Sequence, residues 1–152
     1  MSGSPGPARR GRADPGPRVR RLLETAIYCE DPQRTAAFYR RLLGLESLLD
    51  TERLVALDAG DGTVLLCFRA GSTREPLESP GGTIPPHDGS GPAHLAFAID
   101  AEDVGRWESR LPELGIELES RVTWDRGGVS LYLRDPDGRS VELATPGTWP
   151  TY

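Results

Sequence analysis

Two stretches decide the fold when set side by side: LLETAIYCEDP at residues 22–32 and PAHLAFAIDAE at residues 92–102. Glu24 falls on His94, Ala26 on Ala96 and Ile27 on Phe97. Each alternates as a half-buried strand does. In the second stretch Leu95, Phe97 and Ile99 share one face, and His94, Ala96 and Ala98 share the other. The first face is core. The second is a wall of small residues with a histidine at its edge.

Each strand runs into an acidic residue and a helix-like segment. The first helix is expected at about Pro32–Leu43, with Asp31 as N-cap and Pro32 at the first helical position. The second is expected at about Ala101–Leu114, with Asp100 as its cap. Both end alike, LLGLE (42–46) against ELGIE (113–117), and place Gly44 and Gly115 where a left-handed residue closes a helix. Both halves also finish alike, DGTVLLCFRAG (61–71) against DGRSVELATPG (137–147), each a turn followed by a strand. Two further strands per half fit between, at Leu45–Asp50 and Arg53–Ala59, then Ile116–Thr123 and Val129–Arg134. The chain therefore reads as βαβββ written twice, an α+β fold in which each copy buries its sheet only by pairing with another. Residues 71–92, rich in Gly, Pro and Ser, are expected to be a linker without regular structure. Module 1 spans about 21–71 and module 2 about 92–147, within one domain at 21–149.

The segments ETAIYCEDPQRTAAFYRRLLGLE, AHLAFAID and YLRDPDGRSVELATPG resemble the vicinal oxygen chelate superfamily. That group includes glyoxalase I, methylmalonyl-CoA epimerase, extradiol dioxygenases, fosfomycin-resistance thiol transferases and bleomycin-binding proteins. The resemblance covers about residues 20–149. It implies two paired βαβββ modules whose sheets form an open cup, with metal ligands on the first and last strand of each module. The matching positions are Glu24, Leu66, His94 and Glu142. Strand parity agrees with an inward role for each. A carboxylate centred in VELA is costly to bury unless paired or metal-bound. Glu24, His94 and Glu142 are therefore expected to hold one divalent ion per cup, Mn²⁺, Fe²⁺, Zn²⁺ or Mg²⁺.

Leu66 departs from the pattern implied for glyoxalase I and the epimerase, because leucine neither coordinates nor moves a proton. Dioxygenase-like or thiol-transferase-like chemistry on a small oxygen-rich substrate is favoured for that reason. A non-catalytic ligand-sequestering protein and a lactoylglutathione lyase or epimerase are the alternatives. His87, in IPPHDGSG, and Tyr132 are candidate acid–base groups. Tyr28, Leu66, Phe68, Arg121, Trp124, Tyr132 and Arg134 are candidates to line the substrate cavity, with Arg121 or Arg134 either holding an anionic substrate or pairing with surface acids. Asp135-Pro136-Asp137-Gly138 reads as a turn, since the later ligands of a calcium loop are absent. The resemblance also implies a homodimer, because family members of this size often assemble cups from modules of two chains.

Composition narrows the setting. Residues 1–21 hold six arginines against Asp14 alone, so the rest of a chain of net charge −5 is distinctly acidic. The first 20 residues, dominated by Pro, Gly and Arg, read as a disordered leader with no apolar face to bury. An acidic body argues against a nucleic-acid partner, which needs cations. No apolar run approaches the ~20 residues that span a membrane. All 18 basic residues are arginine, which excludes Schiff-base chemistry. Cys29 and Cys67 sit in apolar strands and read as small hydrophobes in a cytoplasmic protein.

Overall fold

A computed structural model of the chain describes residues 17–152. Most of the basic leader lies outside the described residues. Module 1 comprises β1 (Glu24–Cys29), α1 (Pro32–Leu43), β2 (Glu46–Asp50), β3 (Leu54–Asp58) and β4 (Val64–Arg69). Between the modules lie β5 (Leu77–Ser79) and β6 (Gly82–Ile84). Module 2 comprises β7 (His94–Ala98), a 3₁₀ turn (Ala101–Asp103), α2 (Val104–Glu113), β8 (Ser120–Thr123), β9 (Val129–Arg134) and β10 (Ser140–Ala144). The sheets are ordered β1-β4-β3-β2 and β7-β10-β9-β8, so the first and last strands of each module lie side by side in parallel. This is an α+β fold of two open four-stranded sheets, with β1 and β7 each paired on one edge only.

The first helix forms where its sequence says. Asp31 is extended, and its carboxylate accepts from the backbone N–H of Gln33 and Arg34 at 3.0 and 3.2 Å. Gly44 closes the helix at φ +71°, where a side chain would be strained, and its N–H reaches the Arg40 carbonyl. The second helix differs. The chain enters it through the 3₁₀ turn, and the Asp100 side chain makes no cap hydrogen bond. The linker differs too: Leu77 pairs with Ile84 and Ser79 with Gly82, making a short exposed hairpin. Ser79-Pro80-Gly81-Gly82 supplies its turn, so a Gly/Pro-rich run here builds structure instead of preventing it.

The core is shared by both modules. Ile27, Cys29, Leu65 and Cys67 on one sheet, and Leu131, Leu133, Val141 and Leu143 on the other, join Tyr39 and Leu42 of α1 in a single buried cluster. The Tyr39 ring lies 5.9 Å from that of Phe97, so α1 packs on the second sheet as well as its own. Both cysteines are free and buried, in keeping with a packing role.

A polar clamp crosses the same junction. The nearly buried Arg139 donates to Asp135 at 2.8 Å, to Asp137 at 3.1 Å and to the Tyr28 carbonyl. Tyr39 donates its hydroxyl to Asp135 at 2.9 Å, and Thr35 donates to Asp137 at 2.6 Å. The remaining oxygen of Asp135 accepts from the N–H of Asp137 and of Arg139, which makes the turn. Two buried ions are thus nearly saturated with partners, the condition under which such a pair is tolerated. The turn reading of Asp135–Gly138 holds, and the structure adds what its side chains do.

Candidate functional site

In each sheet the residues of one parity face the shared core, and the other parity forms an open face. On module 2 the open face carries His94 and Ala96 from β7, Ser140 and Glu142 from β10, and Ser130 and Tyr132 from β9. Glu142 is only 6% exposed. One oxygen accepts from the Ser130 hydroxyl, which in turn accepts from the Trp124 indole N–H at 2.8 Å. The other lies 3.1 Å from His94 Nε2. The His94 ring stacks on Tyr132, with centroids 6.3 Å apart. Burial, and next the charge of Glu142, push the Tyr132 hydroxyl above its ordinary pKa, so it remains a donor at neutral pH.

An imidazole nitrogen and a carboxylate are donor types that suit divalent cations. His94 Nδ1 lies 3.2 Å from both the Ser140 carbonyl and the Ser140 hydroxyl. With Nδ1 accepting from the hydroxyl, Nε2–H donates to Glu142. With Nδ1–H donating to the carbonyl, an Nε2 lone pair and a carboxylate oxygen converge, an arrangement that a cation would complete. A second partner that fixes the tautomer is what ligating histidines ordinarily have.

Glu24 stands apart. It begins β1 on the open face of module 1, exposed, with Ala26, Tyr28, Leu66 and Phe68 on the same face. Among the described residues, no three His, Cys, Asp or Glu side chains gather as a metal cluster. The chain therefore brings two of the three expected ligands together and leaves the third on its other module. Leu66 lies between Ala26 and Ala56, a half-buried aliphatic surface.

The other candidates divide. Trp124 lies against the Glu142 site through Ser130. Tyr28, Phe68 and His87 pack together on module 1: Tyr28 OH is 2.5 Å from His87 Nδ1, and the His87 and Phe68 centroids are 5.1 Å apart. The two arginines pair with acids. Arg121 is level with Leu131, facing the core side, and its guanidinium is bound to Glu108 of α2 at 3.0 Å. Arg134 is on the open face, but Glu119 takes two of its N–H groups at 2.5 and 2.7 Å and is itself held below the usual carboxylate range by them. Both pairs are half-exposed surface ion pairs. Ser130, the hydroxyl that orients Glu142, carried no signal in the sequence beyond sharing the parity of Tyr132.

The Glyoxalase/Bleomycin resistance protein/Dioxygenase superfamily matches this chain over residues 21–143. The chain belongs to that superfamily. A crystal structure of a lactoylglutathione lyase from Agrobacterium tumefaciens superposes with a TM-score of 0.76 at 32% identity, covering 90% of this chain and 99% of that one. A glyoxalase/dioxygenase from Nostoc punctiforme superposes with a TM-score of 0.61 at 27% identity, over 83% and 90% of the two chains. Glutathione transferase FosA of Serratia marcescens is 27% identical over 122 residues, 80% of this chain and 78% of that protein. Metallothiol transferase FosB of Bacillus licheniformis is 42% identical over 53 residues, and that match spans about a third of its length, 34%. No helix among the described residues is long and apolar enough to cross a membrane.

Proposed function

We propose that the protein is a divalent-metal-dependent thiol transferase that joins a small thiol to a small oxygen-rich electrophile. The observation that carries this reading is the His94–Glu142 pair, with Ser130 behind the carboxylate and Tyr132 beside the imidazole. The similarity to FosA and FosB supports the reaction class. His94 and Glu142 would hold the ion, and Glu24 of a second copy would join them in a homodimer. When bound, a divalent ion withdraws charge from substrate oxygens and stabilises developing negative charge. The chain's own part is to orient that substrate. Ser130 fixes the carboxylate, the Ser140 carbonyl fixes the imidazole, and the protonated Tyr132 hydroxyl donates to a substrate oxygen on which charge develops.

The test has two readouts. Purified protein titrated with Mn²⁺ or Zn²⁺ is expected to take one ion per Glu142, and Glu142→Ala to lose it with the fold intact. Incubation with fosfomycin and either glutathione or L-cysteine is expected to consume thiol, and a chelator to stop it. An ion bound equally by the variant, or thiol loss indifferent to chelator, contradicts the proposal. The 32% identity to the lactoylglutathione lyase structure favours lyase chemistry as the second reading. A hemithioacetal assay separates the two: the thiol-transferase reading expects no turnover, because Leu66, on the open face with Glu24, supplies no proton-carrying group.

A further inference from the structure

We infer that module 2 carries an apolar subsite beside Glu142, walled by Trp149 and Tyr152, for a single uncharged aromatic ring on the substrate. The inference rests on the reading of this open face as the substrate face, and not on metal at His94 and Glu142. The floor of the subsite is a gap in side-chain bulk. Ala98 of β7 lies level with Ala144 of β10, two residues along the face from the Ala96–Glu142 pair. In module 1 the same two places are held by Tyr28 and Phe68, whose rings stack with centroids 6.1 Å apart. One sheet fills with its own rings the place that the other leaves to alanine. A cavity of about 200 Å³ remains there, lined by Ala96, Ala98, Ala144, Glu142, Trp149 and Tyr152. An apolar cavity of about 150 Å³ takes a benzene molecule, so this one has room for a single ring.

The walls come from the segment that follows β10, and the fold fixes that segment. Gly147 donates its N–H to the Tyr152 carbonyl at 2.7 Å, and Tyr152 donates its own to the Trp149 carbonyl at 3.1 Å. The Thr148 hydroxyl donates to the Thr145 carbonyl at 2.9 Å. Gly128, in the β8–β9 turn, lies so close against the backbone of Gly147 and Thr148 that no side chain fits there. The Tyr152 hydroxyl donates to the Ile99 carbonyl at 3.2 Å, with the Ala144 carbonyl 3.4 Å away, so Tyr152 offers the cavity its ring. Trp107 packs on the core and Trp124 donates to Ser130. Trp149 does neither: it is 68% exposed and stacks on no other aromatic ring among the described residues. Both oxygens of Glu142 already meet Ser130 and His94, and among the described residues no cationic side chain lines the cavity. An anionic ring would find no partner there and would face Glu142. A cationic one would sit beside the ion proposed for that carboxylate. Ala144 is two residues from Glu142 along β10, about 7 Å, so the ring lies within a few bonds of substrate oxygens gathered at His94, Glu142 and Tyr132.

The experiment uses the full chain, with benzyl alcohol as probe and the alanine methyl resonances as readout. Benzyl alcohol is expected to shift the Ala96, Ala98 and Ala144 signals saturably. Benzoate and benzyltrimethylammonium, which carry the same ring with a charge of either sign, are expected to bind several-fold more weakly. Trp149→Ala, at a side chain too exposed to threaten folding, is expected to weaken benzyl alcohol about tenfold by loss of a ring–ring contact. Ala98→Leu fills the floor from an exposed strand position and is expected to abolish binding. His94→Ala does not touch the cavity lining and is expected to leave benzyl alcohol binding unchanged, so failure of the metal reading is seen separately. No saturable shift, either charged probe binding as well as benzyl alcohol, loss of binding in His94→Ala, or wild-type affinity in a folded Trp149→Ala or Ala98→Leu variant overturns the inference.

Discussion

The two modules share one topology and divide the work. Strand for strand, Ser130, Tyr132, Glu142 and His94 of module 2 correspond to Leu54, Ala56, Leu66 and Glu24 of module 1. One open face holds a buried carboxylate with three neighbouring polar groups, and the other is largely aliphatic and aromatic. The turns before the last strands differ in the same way. Asp135 and Arg139 cross-link the modules, whereas Ala59 and Thr63 occupy the corresponding places in a turn that reaches no clamp. Duplication supplies a scaffold whose backbone needs are met twice. Chemistry and cross-linking need to be met only once, and each copy is free to lose what the other keeps.

The sharpest way to break this comparison is to damage both turns. Arg139→Met leaves Asp135 buried without its ion-pair partner and is expected to cost about 3–5 kcal/mol. In a chain of this size that lowers the thermal midpoint by on the order of 10 °C. Thr63→Ala, at the corresponding place, is expected to stay within about 0.5 kcal/mol. Paired melting curves check both, and equal losses would mean that the junction does not depend on the clamp.

A second pair of changes compares the open faces. Ser130→Ala removes the hydroxyl that orients Glu142 and is expected to lower metal affinity about 10–100-fold, as loss of a ligand's supporting partner does. Leu54→Ala, its counterpart, is expected to leave affinity unchanged. Titration with Mn²⁺ followed by calorimetry reads both.

The smallest expected effect is a pH dependence. Burial opposes the charge of Asp137, but the Thr35 hydroxyl and the Arg139 guanidinium outweigh it and hold its carboxyl below the ordinary value. The unfolded chain therefore binds the proton more readily. The stabilisation is full above the unfolded carboxylate pKa of about 3.9 and is lost as pH falls through the lower folded value. Urea midpoints are expected to fall more steeply below pH ~4 in the wild type than in Asp137→Asn, which starts lower at neutral pH. Parallel profiles would remove Asp137 from the clamp.

How far the sequence carries varies with the range of the interaction. The strands and α1 were legible because alternation, Asp31, Pro32 and Gly44 act within a few residues. The open-face parity of Glu24, His94 and Glu142 was legible for the same reason. The linker hairpin was missed because its pairing adds only three short rungs. The acid that Arg121 meets was not legible, because β8 takes its register from β9 and Glu108 lies on α2, which no local pattern records. The clamp joins residues about a hundred positions apart, such as Thr35 and Asp137, and only the folded chain brings them together.

The central claim is that the chemistry sits on module 2 and is completed by Glu24 of a second copy. Mixing two inactive variants, Glu24→Ala and Glu142→Ala, tests it most directly. Unfolded together and refolded, they should regain metal binding, because one of the two sites in each mixed dimer receives an intact Glu24 from one chain and an intact His94–Glu142 pair from the other. Each variant refolded alone should bind little. Metal binding that does not recover on mixing, or that survives fully in Glu24→Ala alone, contradicts the account.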